Sequence, residues 1–239
     1  MTAHRKERSR GFNNTMPSTS IIILFAKIPV KGRVKTRLAR DLKEDLALRF
    51  SESMLLDTID MLKDCGFPFR ICIAPPGAVE TARARLGSGY AFMPQTGGDL
   101  GERMEQAFVR VFSEGFREAV LIGSDIPGLT AGIVREAFAF LSEHDAVIGP
   151  ANDGGYYLIG FTRGAFWPEI FHSMPWSTPA VFGETLGRLA SASRRVHVLP
   201  ECIDVDTRED LITLLQQKDR PASPRTLALL KRQGRGLAK

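Results

Sequence analysis

Between Lys27 and Arg40 the chain carries six cations (Lys27, Lys31, Arg33, Lys35, Arg37 and Arg40) and no acid. Like charges crowded together repel unless an anion sits among them, and a helix N-terminus would aim further N–H donors at the same place. A diphosphate meets that demand, and Gly32 allows a tight turn or a close backbone approach to it. The competing reading is a solvated basic face matched by Asp41, Glu44 and Asp45. Neither GxxxxGK[ST] nor GxGxxG occurs in this segment, which excludes the two commonest nucleotide-binding fingerprints.

Acids follow at positions that suit a metal. Gly123-Ser124-Asp125-Ile126-Pro127 comes directly after the apolar run 119–122, so Asp125 stands at a strand's carboxyl end, where a carboxylate can share Mg²⁺ or Mn²⁺ with substrate phosphates. In Ile203-Asp204-Val205-Asp206-Thr207 two carboxylates alternate on one side of an extended chain and require a cation or donors between them; the alternative makes Asp206 a helix cap. Asp153 lies in a Gly-rich turn before an aromatic strand and is the candidate general base. Trp176, in a loop before a helix, is a candidate acceptor platform. Gly98, Asp99 and Arg103 belong to a glycine loop opening a helix and are candidates for a nucleotide contact, with an ordinary Asp99 cap as the alternative.

These segments need a frame. The continuous apolar run at 21–26 reads as a parallel strand buried on both faces, with further strands at 69–74, 90–93, 119–123, 146–149, 155–160 and 196–199. Helical spacing predicts helices over 43–65, 79–86, 100–114, 130–143, 179–192 and 207–217, the last opening on a capping box from Thr207 to Asp210. Regular alternation of the two predicts an α/β protein with an open sheet covered by helices on both faces, whose ligands sit outside the strands' carboxyl ends.

Composition narrows the function further. The pI near 9.3 comes from the ends: residues 1–20 carry net +3 and 218–239 net +6, which leaves the body between them at −4. That distribution argues against nucleic acid as the main partner. The expected organisation is a disordered tail at 1–20, one domain over 21–217 and a basic extension over 218–239 containing a short, weakly packed helix at 226–233. No apolar run is long enough to span a membrane, no secretory signal precedes Ile21, and Cys65, Cys72 and Cys202 read as buried free thiols, all consistent with a cytoplasmic protein.

Taken in order, AKIPVKGRVKTRL, QTGGDLGERM, LIGSDIPGL, GPANDGGYYLIG and DVDTREDL resemble the bacterial glycosyltransferase-like proteins of the nucleotide-diphospho-sugar transferase superfamily, relatives of the phospholactate guanylyltransferases. The resemblance spans about residues 21–215. It implies a glycosyltransferase A-type fold, with Lys27, Arg33, Lys35 and Arg37 matching a phosphate-contacting loop. Asp125 matches the metal-binding acid, and Asp206 an acid that completes the metal site in nucleotidyl-transferring relatives. Gly-Ser-Asp stands here where sugar transferases carry Asp-x-Asp. The expected activity is metal-dependent transfer from a nucleotide-diphospho-sugar to a small-molecule acceptor. One alternative is nucleotidyl transfer from an NTP to a phosphorylated small molecule with pyrophosphate release; the other is a non-catalytic nucleotide-binding module.

Overall fold

The structure, a computed structural model, describes residues 18–217 and 223–237. Most of the tail expected at 1–20, and parts of the extension expected at 218–239, lie outside the described residues. Seven strands form one sheet: β1 (Ser20–Lys27), β2 (Phe69–Ala74), β3 (Ala91–Pro94), β4 (Glu118–Gly123), β5 (Ala146–Pro150), β6 (Tyr156–Thr162) and β7 (Val196–Val198), ordered β3-β2-β1-β4-β6-β5-β7.

The central strand shows why the sheet is covered twice. Ile22, Leu24 and Ala26 of β1 enter one core, whereas Ile21, Ile23 and Phe25 enter another, because successive side chains of a strand point to opposite faces. The first core is closed by α2 (Glu44–Lys63), α3 (Val79–Leu86) and α5 (Ala131–Leu141) through Leu55, Ile59, Leu62, Ala82, Val134 and Phe138. The second is closed by α4 (Leu100–Ser113) and α6 (Val181–Ser191) through Met104, Phe108, Val111 and Leu189. The thiols of Cys65 and Cys72 are free and buried, and burial pushes them up to about 11 and about 12, so both stay protonated and inert.

The predicted α/β class and mostly parallel sheet are what the structure contains. The exception is β6, antiparallel to both β4 and β5. The short connection from β5 to β6 is a turn around Gly154 (φ +85°), too short for the crossover a parallel pair needs. Chain order reverses between β2 and β4 on the two sides of β1, and Phe25 stands level with Gly123 while Lys27 stands level with Ala74. A topological switch point therefore opens at the carboxyl ends of β1 and β4, where ligands bind in such sheets.

Two elements differ from expectation. The segment after β1 is not all loop, because Thr36–Leu42 forms a helix, α1. The C-terminal helix is also longer and better packed than the sequence suggested. It runs Pro224–Leu237 (α8), and Leu229 and Leu230 join Leu38 of α1, Phe50 and Met54 of α2, Val205, and Leu211 of α7 (Arg208–Gln216) in a third core. The buried Asp57 of α2 holds its start, accepting from the backbone N–H groups of Arg225 (3.2 Å) and Thr226 (2.9 Å) and from the Thr226 hydroxyl (2.8 Å). Replacing Asp57 by Ala leaves those donors orphaned, and we expect a loss of about 2–3 kcal/mol. Urea denaturation should show a lower midpoint with an unchanged slope.

Candidate active site

Asp125 leaves the end of β4, and its backbone carbonyl accepts from Val205 N–H at 3.1 Å, which lashes the segment before α7 to the switch point. Val205 is fully buried in the third core, so Asp204 and Asp206 on either side of it emerge opposite, by the alternation of extended chain. Asn152 Oδ1 accepts from Asp204 N–H (2.8 Å), and Asp210 accepts from the N–H groups of Asp206 (3.0 Å) and Thr207 (2.8 Å). Thr207, not Asp206, is the cap of α7, so the Asp206 carboxylate is left for other contacts.

Those contacts are with the basic loop. Lys35 Nζ lies 2.7 Å from Asp125, 3.7 Å from Asp204 and 3.8 Å from Asp206, and only 6% of its side chain is exposed. Arg37 Nη1 meets Asp206 at 3.2 Å. Lys35 sits at the N-cap of α1 in left-handed backbone (φ 48°, ψ 47°), a conformation costly to a residue with a Cβ and kept only where surrounding structure enforces it. Burial alone would push the Lys35 ammonium down, but Asp125, Asp204 and Asp206 together outweigh it and hold its pKa above the usual lysine value. Burial pushes Asp204 up to about 7, with Lys35 opposing and Asp125, Asp153 and Asp206 adding to the rise. Asp204 Oδ1 is buried without a hydrogen-bond partner.

A cleft with two connected lobes opens over this cluster, sharing Phe25, Leu100, Tyr156, Tyr157, Asp204 and Asp206 as walls. The first lobe, about 370 Å³, is lined by Lys27, Arg33, Lys35, Gln95 and Asp125. The second, about 540 Å³, is lined by Arg37, Asp153 and Trp176. Of the expected phosphate contacts, Lys27, Arg33 and Lys35 fall in the first lobe, whereas Arg37 stands in the second with the expected acceptor residues, and the acids join the two. Gly32 does not line the cleft; it stands at φ +74° in the turn closed by Arg33 N–H to Val30 O (2.9 Å). Lys31 is drawn away to Asp45 (2.7 Å), the solvated pairing weighed above.

Gly98, Asp99 and Arg103 lie outside both lobes. Asp99 Oδ1 caps α4 through Glu102 N–H (2.8 Å), and Arg103 binds the Gly97 carbonyl (3.1 Å), so this loop is organised by local hydrogen bonds. Asp153 is an exposed turn residue whose Oδ1 accepts from Gly155 N–H (2.9 Å). Trp176 meets Tyr156 edge-on at 6.5 Å. Sequence reasoning did not single out Gln95, Leu100, Tyr156 or Tyr157 as lining residues; their position at strand ends and a helix start was the available signal.

Residues 58–178 match a family described as an uncharacterized protein conserved in bacteria, DUF2064. A protein of Desulfovibrio desulfuricans G20, provisionally named a nucleotide-diphospho-sugar transferase, is 36% identical, with 92% of this chain and 97% of that one covered at a TM-score of 0.86. The chain belongs to the DUF2064 family. A 2-phospho-L-lactate guanylyltransferase of Archaeoglobus profundus is 24% identical over 82% of this DUF2064 chain and 83% of its own length. The manganese complex of Rv0371C from Mycobacterium tuberculosis H37Rv shares the fold at a TM-score of 0.52, with 19% identity over 84% of this chain and 100% of that one. The resemblance drawn from the five motifs holds, and relatives named as transferases support the expectation of a transferase.

In this DUF2064 chain, among the described residues, no group of three or more Asp, Glu, His or Cys side chains is arranged to hold a metal ion. The acids expected to do so close on an ammonium. Their chemistry nevertheless fits a hard divalent cation: all are carboxylates, Asp204 Oδ1 lacks a hydrogen-bond partner, and three acids face one lysine and one arginine. Among the described residues no helix is long and apolar enough to cross a membrane.

Asp204 gives a pH signature. Its folded pKa, about 7, lies above its ordinary value of 3.8, so the folded state holds the proton more tightly and the stability this confers is lost as pH rises from about 4 through 7. In metal-free protein the Asp204→Asn variant should therefore gain melting temperature over the parent at pH 8 and show little gain near pH 4. An equal gain at both values sinks this account of Asp204.

Proposed function

We propose that this DUF2064 chain is a nucleotidyltransferase that joins the nucleoside monophosphate unit of an NTP to a phosphorylated small molecule and releases pyrophosphate. The observation that carries the reading is the placement of cations on both sides of the acids. Lys27, Arg33 and Lys35 line the first lobe, and Arg37 lines the second. A guanidinium at the acceptor side binds an acceptor phosphate by charge-assisted, bidentate hydrogen bonds, a stronger contact than it makes with a neutral sugar hydroxyl.

The reaction then needs little from the chain beyond position and charge. An acceptor phosphate oxygen attacks the α-phosphorus, a new P–O–P linkage forms, and the bond from the α-phosphorus to the bridging oxygen breaks as pyrophosphate leaves. Lys27, Arg33 and Lys35 hold the polyphosphate, while Arg37 orients the acceptor. Mg²⁺ or Mn²⁺ on Asp125 and Asp206 would neutralise charge on the phosphates. A phosphate nucleophile is already an anion, so Asp153 has no proton to remove in this reading. The Archaeoglobus profundus guanylyltransferase supports it, and makes GTP the first donor to try.

One observation favours sugar transfer as a second reading. Asp153 and Trp176 share the acceptor lobe, as a base and an apolar platform for a sugar hydroxyl would. Released product separates the two. Incubation with each NTP, or each nucleotide sugar, and a panel of phosphorylated and unphosphorylated acceptors should yield pyrophosphate from an NTP plus a phosphorylated acceptor. Nucleoside diphosphate released from a nucleotide sugar would instead establish sugar transfer, and binding with turnover of neither would leave a binding module. Under the first outcome, Asp125→Ala should lower turnover at least about a hundredfold while the fold melts cooperatively.

A further inference from the structure

A phosphate fills little of the second lobe, about 540 Å³, so the rest of its wall must suit the body of an acceptor. Several residues of that wall carry polar groups, but those groups are engaged elsewhere. The Tyr157 hydroxyl donates to Pro200 O (3.0 Å) and the Tyr156 hydroxyl to Met104 Sδ (3.9 Å). Thr178 Oγ1 donates to Pro175 O (2.8 Å) and accepts from Ala180 N–H (3.4 Å). Trp176 Nε1 is buried without a partner, so the side-chain surface this residue gives the lobe is ring carbon. Gly101, in the first turn of α4, makes the seat for that indole. A Cβ there would stand 2.8 Å from Trp176 Cζ2 and 3.0 Å from Nε1, closer than packed atoms allow. Beside Trp176 and Tyr156, the lobe is lined from the second core by Phe25, Met104 and Leu121. Charge enters where the two lobes meet: Arg37 reaches Asp206 (3.2 Å), and Asp206 lines both. Asp153 and Ser177 are exposed to solvent.

We propose that the acceptor is a phosphate monoester of an apolar body, an aromatic ring or a branched hydrocarbon, with its phosphate on Arg37 and its body against Trp176. This deepens the nucleotidyltransferase reading and rests on it. A polyhydroxylated body such as a sugar gives up hydrogen bonds to water on entering a cleft, and the wall must replace them. Here the phenols, the threonine hydroxyl and the indole N–H are turned to the protein, so the wall returns few. An apolar body loses nothing polar and leaves water for ring and aliphatic carbon. Arg37 then sets the direction: the phosphate stays at the junction, within reach of the polyphosphate lobe, and the body extends away from it.

The test is calorimetry on the full chain with Mg²⁺, first with inorganic tripolyphosphate alone. Benzyl phosphate, 3-methylbutyl phosphate, glucose 1-phosphate and inorganic phosphate are then titrated with tripolyphosphate saturating the first lobe. The tighter of the two apolar esters should bind at least about tenfold more tightly than glucose 1-phosphate and than inorganic phosphate. In Trp176→Ala that ratio should fall at least about fivefold while tripolyphosphate affinity is kept, which also reports that the variant folds. In Arg37→Met all four phosphates should weaken and the ratio should stay. Equal or tighter binding of glucose 1-phosphate, or no binding of either apolar ester, overturns the assignment without any variant, as does an unchanged ratio in Trp176→Ala. Those outcomes leave the nucleotidyltransferase reading in place as long as tripolyphosphate binds. Failure of tripolyphosphate itself to bind overturns that reading and the acceptor with it.

Discussion

The Lys35 ammonium is nearly buried, and an ion withdrawn from water is tolerable only where opposite charge meets it at close range. Asp125 meets it at 2.7 Å, and Asp204 and Asp206 stand just beyond. These four residues come from three stretches of chain far apart in sequence, so the charge balance is satisfied only when all three are in place together. The third core supplies that placement. Leu38, three residues beyond Lys35, and Val205, between the two acids, are both fully buried in it. The Val205–Asp125 backbone bond then joins the core to the sheet edge. Packing around α8 thus reaches the site, although none of the residues described as lining the cleft comes from α8.

Much of this frame was legible from periodicity. Runs such as the one in β1 leave a strand no solvent face, which demands helices on both sides, and the structure provides them. What stayed hidden depended on tertiary context. The helix α1 is only seven residues long and starts from a strained lysine, so no local propensity announced it. The basic sequence of α8 looked like solvated tail; its Leu229 and Leu230 acquire a partner surface only after α1, α2 and α7 assemble. The reversal of β6 was concealed because strands buried on both faces look alike in either direction.

The candidate site divides along the same line. The acids and cations could be picked out because charge clustering is visible in sequence, and their assembly at one sheet edge follows from strand ends. Their pairing could not be read, since nothing local says that Lys35 rather than Arg33 turns inward. Asp99 shows the opposite limit: an acid before a helix has a local use as a cap, and that use took it. Gln95 escaped notice because a single amide carries no charge and forms no pattern. Its side-chain amide donates to two backbone carbonyls, one from β1 and one from β2, which only the assembled sheet brings together.

The charge count at the junction of the two lobes constrains any ligand. Three carboxylates face one ammonium and one guanidinium, which leaves the cluster net negative whenever Asp204 is ionised. A polyphosphate approaching Lys27 and Arg33 therefore meets attraction from the loop and repulsion from the floor within the same lobe. The balance shifts if the polyanion arrives with a divalent cation, since the acids then face positive charge and Lys35 is freed to meet phosphate. The Lys35 ammonium lies, on the proposed reading, where the divalent cation would be held. On the proposed reading, nucleotide and metal must bind as one unit, each removing the electrostatic cost of the other.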